Sequence, residues 1–516
     1  MSHWIILPVV LPAFLAPFMV LAARHHIDIQ RAISVAGGVA MVVLAAGLAW
    51  RTSDDTVILY QLGDWAAPFG IVLLGDRLST LMVLLTAILS LLVLLYAIGS
   101  RWDARGRHFH ALWQFQIMGI MGAFLTGDVF NLFVFFEVLL IASYGLMIHS
   151  GGTVRLRAGT QYVLYNLLGS TLFLFALGAL YAETGTLNMA DLAERVRLIP
   201  TDANVGIRVA AVLLLMVFAI KAALVPLHFW LPSSYAEAPA PVAALFGIMT
   251  KVGAYAIIRI YTMVFPPGLE ATEGLHGWWL LPAALVSVAL GMIGVLAARR
   301  LDRLVAFAVI GSMGMVMVAI ALWTEAGIAA ALYYIVHSTF ASAALFLICD
   351  LVRAGRSDLD LTAQPPVAGA AMTAALFFVA AIAMVGLPPL SGFLGKLLIL
   401  DAAFGTEAVV WVWAVILVTS LVSLVGFARA GTEVFWKARA IPPEETAFAP
   451  ARPPVLSYVA VGGLLALLVA HTIFAGPVTA YTSAISAQLF APDRYLSTVL
   501  ETPGKLSDAD PDEEAH

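Results

Sequence analysis

The sequence predicts an all-α polytopic membrane protein of about fourteen transmembrane helices, and three observations carry that prediction. Of 516 residues, 62% are hydrophobic and only 11% charged, with a mean hydropathy of +0.96, far from the balance of a soluble globular domain. Apolar windows long enough to span a bilayer follow one another almost without interruption. Basic residues concentrate in alternate connections between those windows, as topology in a membrane requires.

The windows fall at about 4–22, 32–50, 77–99, 111–126, 129–149, 160–182, 206–226, 241–264, 278–298, 303–323, 327–349, 370–402, 407–429 and 455–474. The first has no basic region ahead of it and has the roughly 20 residues needed to span, so it reads as a membrane helix rather than a signal peptide. The twelfth is too long for one simple span and is interrupted by Gly386-Leu387-Pro388-Pro389, so a broken helix is expected there. The seventh is broken as well, because Pro226 removes a backbone hydrogen bond five residues after Lys221. The longest polar segments are about 183–205, 350–369, 430–454 and the acidic tail 501–516, expected to be mobile.

Calling the side after the first span inside, the inside loops carry 16 Lys and Arg residues and the outside loops and tail carry 7. Both termini are therefore expected on the non-cytoplasmic side. The four remaining cations, Lys221, Lys251, Arg259 and Lys396, lie within spans. Three of the five lysines are thus intramembrane, and lysine can give up its proton when buried whereas arginine stays charged. That partition favours proton handling.

The broken spans are five apart. If spans 4–8 and 9–13 are two copies of a five-helix unit, each is broken at its fourth helix and carries a lysine there. An odd number of crossings makes the copies inverted. The organisation expected is residues 1–110 for the first three helices, 111–264 and 278–429 for the two repeats, 430–474 for a loop and the last helix, and 475–516 for a polar C-terminal tail.

Five residues inside the spans could carry chemistry. Glu137 lies eight residues into the fifth span, about 12 Å deep at a rise of 1.5 Å per residue. A lone carboxylate there is costly, and Lys221 two helices on is the natural partner, as a switchable pair or as a fixed structural one. Lys251, with Tyr255 one turn on and Arg259 two turns on, reads as a central proton acceptor or as a lysine snorkelling to the interface. His337, among Tyr333 and Ser338, reads as a relay or as a satisfied core histidine. Lys396, after the second break, resembles Lys221 in context. Asp128, Asp350 and Asp401 sit at span ends and read as solvated caps, and His228 beside the first break is ambiguous.

The single cysteine, Cys349, excludes an intrachain disulfide and any cysteine-based metal site. No P-loop, dinucleotide fingerprint, paired-histidine zinc motif or iron–sulfur cysteine set is present, so no cofactor is expected. No basic patch for nucleic acid is visible in a chain of net charge −5.

GDVFNLFVFFEVLLIASYGLM together with KAALVPLHFWLPSSYAEAPAPVAALFGIMTKVGAYAIIR resembles the antiporter-like family shared by respiratory complex I and the Mrp (Mnh, Pha) multisubunit cation/proton antiporters, over roughly residues 75–430. The FFEVLLIASYGLM form is most similar to the D-type branch of the Mrp antiporters. The resemblance implies a mid-membrane polar axis in which Glu137, Lys221, Lys251 and Lys396 take the family positions. It also implies inward proton flow coupled to export of a monovalent cation, sodium being the expected one. The partners implied are a large A-type subunit and small hydrophobic subunits in a bacterial inner membrane. Two other classes stay open: a proton-pumping subunit of a complex I-like redox complex, and a structural scaffold.

Overall fold

The computed structural model describes residues 3–275, 279–356, 358–366, 369–441 and 453–505. Among them the chain begins with α1 (Leu7–Ala22) and α2 (Ile27–Arg51), then a two-stranded antiparallel hairpin, β1 (Ile58–Gln61) and β2 (Val72–Gly75), then α3 (Arg77–Gly99). Next come α4 (Phe109–Leu125), α5 (Val129–Met147), α6 (Thr153–Thr184), the short α7 (Met189–Arg197), α8 (Val205–Lys221), α9 (Trp230–Glu237) and α10 (Ala240–Met263). The second half holds α11 (Leu280–Ala297), α12 (Leu301–Ile320), α13 (Glu325–Arg353), α14 (Ala370–Val385), α15 (Ser391–Ala403) and α16 (Val409–Gly431). It closes with α17 (Val455–Ile473), α18 (Ala475–Phe490) and α19 (Asp493–Leu500). The expected apolar windows fall on these helices, that at 370–402 on two of them, α14 and α15, and among the described residues ten helices are long and apolar enough to cross a membrane.

Burial separates centre from rim. The apolar window of α10 is wholly buried and those of α12 and α13 are 89% buried, whereas that of α2 is 22% buried. An apolar helix with no covered face must meet lipid or a partner, so α2, α16 and the outer faces of α5 and α6 form the rim. α10 sits against α13, α8, α3 and α12.

Both expected breaks are present, and they close in the same way. At the end of α8, Ala223 is left-handed (φ 54°) and Leu224 N–H donates to the carbonyl of Ala219; at the end of α14, Gly386 is left-handed (φ 79°) and Leu387 N–H donates to Ile382. This ending satisfies carbonyls a helix stop would leave bare, and the prolines that follow prevent resumption. The halves share a second feature. A short antiparallel bridge joins Asp128, just before α5, to Asn188 after α6, and an equivalent bridge joins Arg300, just before α12, to Asp360 after α13.

Lys221 ends the half-helix entering its break, and Lys396 lies in the half-helix leaving its own. Two expectations are corrected. Residues 475–500, expected as part of a polar tail, are the helices α18 and α19, held by packing against α13 and α7. The segment 183–205 contains α7, whose buried face carries Met189, Leu192, Ala193 and Val196. Of the segments expected to be mobile, residues 357, 367–368 and 442–452 and, in the tail 501–516, residues 506–516 lie outside the described residues. The β hairpin, not foreseen, is tied to the chain's last described residues, where Lys505 N–H donates to Asp64 O at 2.8 Å and Gln61 Nε2 to Thr502 O at 3.1 Å.

Candidate functional site

The five ionisable side chains singled out in the sequence fall on helices that touch in sequence: α5 packs on α6, α6 on α8, α8 on α10, α10 on α13, and α13 on α15. Glu137, Lys221, Lys251, His337 and Lys396 are carried by α5, α8, α10, α13 and α15 respectively. Only α6, between the glutamate and the first lysine, contributes none of the five.

Lys221, 6% exposed, donates from Nζ to Asn166 Oδ1 at 3.1 Å, and the same ammonium lies 5.7 Å from the centre of the Phe136 ring. Glu137 is half-buried and accepts a short hydrogen bond from Ser170 Oγ. No ion pair within 4 Å joins Glu137 to Lys221 among the described residues, so the pair expected from sequence stands parted. Neighbouring turns of α6 take one partner each. Beside the break, Trp230 Nε1 donates at 3.0 Å to Ile220 O, a carbonyl near the end of α8.

Lys251 is fully buried, and its ammonium has no hydrogen-bond partner among the described residues. Gly253, two residues on, brings α10 against α8: a Cβ there would lie 2.8 Å from Ala222 N and from Phe218 O. Further along α10, Tyr255 donates to Phe124 O at 2.8 Å, and Arg259 makes a two-pronged pair with Asp76 at 2.6 and 2.7 Å. Tyr255 and Arg259 are therefore engaged with α3 and α4 rather than with Lys251.

His337 is fully buried, with Nδ1 at 2.9 Å from Ser391 Oγ at the start of α15. Gly392 makes this approach possible, since a Cβ there would fall 2.0 Å from Ala383 O and 2.8 Å from His337 Nε2. Lys396 reaches back across the second break, donating to Val385 O at 2.6 Å and to Ser420 Oγ of α16 at 2.8 Å. A cation on the last carbonyl of α14 is favoured by the helix dipole as well as by the hydrogen bond.

Asp128 caps α5, accepting from Asn131 N–H at 2.7 Å, but it is buried rather than solvated. Burial pushes its carboxyl up to about 6 against the backbone hydrogen bonds that favour the charged form. Asp350 is likewise no solvated cap, accepting from Trp102 Nε1 at 2.8 Å and Tyr96 OH at 3.0 Å. Asp401 is exposed. His228 is buried, and its Nδ1 has no partner among the described residues.

Sequence reasoning missed Asn166, Ser170, Ser391, Ser420 and His471. His471 is buried and stacks on Tyr333 at 4.2 Å between ring centres. Asn166 and Ser170 left a readable signal, two polar residues one turn apart within an apolar window. No group of three or more His, Cys, Asp or Glu side chains suited to a metal ion occurs among the described residues.

Residues 126–423 match the family model described as NADH:quinone oxidoreductase/Mrp antiporter, TM. The D subunit of a probable K(+)/H(+) antiporter from Rhizobium meliloti is 36% identical over 540 residues, covering 98% of each chain. The D subunit of the Na(+)/H(+) antiporter from Alkalihalophilus pseudofirmus is 36% identical over 512 residues, covering 97% of this chain and 100% of that one. Among solved structures, a chain of the Mrp complex from Dietzia superposes with a TM-score of 0.87 at 26% identity, over 97% of this chain and 100% of that one. A chain of respiratory complex I from Thermus thermophilus does so with a TM-score of 0.78 at 26% identity, over 94% and 99%. The helical bundle with its two broken helices, the family match and the full-length similarity to antiporter D subunits agree: this chain belongs to the NADH:quinone oxidoreductase/Mrp antiporter family of membrane proteins.

Proposed function

We propose that this chain is the D-type subunit of a multisubunit monovalent cation/proton antiporter, moving protons along Glu137, Lys221, Lys251, His337 and Lys396 in exchange for exported sodium. The observation that carries the reading is the set of three buried lysines on α8, α10 and α15, the first two helices in contact and the third reached through α13, with two of the lysines at helix breaks. Buried lysines are expensive, and a fixed structural pair would account for only one of them. A proton arriving at Lys251 changes the repulsion it exerts on Lys221. Lys221 then moves between Glu137 and its present partner, and charge passes on through His337 to Lys396.

The parted state of Glu137 and Lys221 supports a switch over a permanent clamp. The two bundle halves read as inverted repeats within fourteen spans, with both termini on the non-cytoplasmic face of a bacterial cell membrane. Glu137 lies on the outward side of α5 with Val134 and Ile141, where a carboxylate facing lipid is unfavourable. That supports cover by a partner helix, in keeping with a large A-type subunit and small hydrophobic subunits. Similarity to the Thermus complex favours the other reading, a pump module driven by redox chemistry elsewhere.

Affinity purification of the chain from its own membrane in mild detergent, with mass spectrometry and an absorption spectrum, separates the two. Small hydrophobic partners with a larger homologue and no flavin or iron–sulfur absorbance are expected. Co-purifying flavin or iron–sulfur subunits would overturn the antiporter assignment.

A further inference from the structure

We propose that α6 supplies the second seat of the Lys221 switch: Asn166 holds the lysine and Ser170 holds Glu137 when the two are parted, with Gly169 leaving the track between them open. The inference rests on the antiport reading above and adds three residues to it.

Asn166 is 2% exposed and its amide orientation is fixed, because Nδ2 donates to Tyr162 O at 2.9 Å and so turns Oδ1 toward the Lys221 ammonium. Ser170, one turn on, donates its hydroxyl proton to Glu137. Both members of the parted pair are thus satisfied at a depth where an unpartnered charge would be costly. Residues 166, 169 and 170 share one face of the helix. A Cβ at Gly169 would lie 3.8 Å from Lys221 Cε and 3.9 Å from Nζ, so the ammonium rests over the glycine. A movement of Nζ from Asn166 toward Glu137 crosses that bare backbone.

An independent observation comes from the other half of the bundle. The bridges Asp128–Asn188 and Arg300–Asp360 align α6 with α13. Asn166 lies 22 residues before Asn188 and Ser338 lies 22 before Asp360; Ser170 and Ser342 lie 18 before the same two residues. The polar step on α6 therefore sits where α13 carries Ser338 and Ser342, beside His337. Ser338 and Ser342 donate to carbonyls of their own helix, Ile335 O, Ser338 O and Thr339 O, so the halves share the polar step while the seat for a charged pair is particular to α6.

The test uses the whole complex in everted membrane vesicles, measuring sodium-driven proton movement, with recovery of the intact complex checked for each variant. Loss of a hydrogen bond to a charged group biases a two-position switch by about tenfold or more. Asn166→Leu and Ser170→Ala are therefore expected to slow antiport at least about fivefold, and Ser170→Thr, which keeps the hydroxyl, to stay above that limit. Gly169→Val is expected to abolish antiport in an assembled complex. Ser170→Ala staying above the limit, or Ser170→Thr falling with it, would overturn the inference. If Asn166→Leu fails to assemble, the Ser170 pair decides alone. A native complex with no sodium-driven proton movement would instead remove the antiport reading on which the inference stands.

Discussion

Asp76→Asn tests how the buried charges away from the lysines are held. Asp76 and Arg259 are 2% and 3% exposed, and the guanidinium meets both carboxylate oxygens at 2.6 and 2.7 Å, with a further bond to Ser79 Oγ at 3.1 Å. Asp76 also caps α3 by accepting from Ser79 N–H at 2.8 Å. Asparagine keeps a capping acceptor, so the substitution isolates the charge. Breaking a buried pair by removing one partner costs about 3–5 kcal/mol, because the other charge stays buried and uncompensated. Alanine at the same position adds the lost cap, about 1 kcal/mol more. Removing the stranded charge in the double variant Asp76→Asn, Arg259→Gln should recover a large part of the loss. Heat inactivation of the solubilised complex, followed by the fraction remaining monodisperse, ranks the three variants against the native chain. A single variant as stable as the native chain, or a double variant no better than the single, would refute the reasoning. The pair also sets a pH dependence. Burial pushes the Asp76 carboxyl up, but Arg259 and the Ser79 bonds more than offset it, leaving it below its ordinary value of 3.8. A depressed carboxyl contributes stability that is whole above pH 3.8 and lost as pH falls below it, and Asp76→Asn should lack that acid-side loss.

Two further outcomes follow from the second break. Gly392→Ala sets a methyl 2.0 Å from a backbone oxygen, which cannot move aside as a side chain would, so the half-helix α15 must shift away from His337. We expect an assembled complex with antiport lost, measured in everted vesicles. Lys396→Met strands the Val385 carbonyl, while Ser420 keeps its bond to Ile416 O, costing about 1–3 kcal/mol, and removes a charge from the line; thermal inactivation and sodium-driven proton movement should both register it.

The bundle was legible in the sequence because membrane helices announce themselves by length and hydropathy, and both breaks were legible because Pro226 and Pro388 cannot continue a helix. The five ionisable residues within the spans were legible because ionisable side chains stand out against an apolar background. What the sequence hid depends on contacts rather than composition. The β hairpin is two four-residue strands with no membrane-length signal. α18 and α19 lack a spanning window and are held by packing on α13 and α7. Asn166 and Ser170 are neutral, so nothing in charge counting draws attention to them.

On the proposed function Lys251, buried and without a hydrogen-bond partner among the described residues, carries the proton at the middle of the line. The most direct measurement is sodium-driven proton movement in vesicles bearing the complex with Lys251→Ala, alongside Glu137→Gln. Both complexes should assemble and neither should exchange sodium for protons. Native rates from an assembled Lys251→Ala complex would contradict the account.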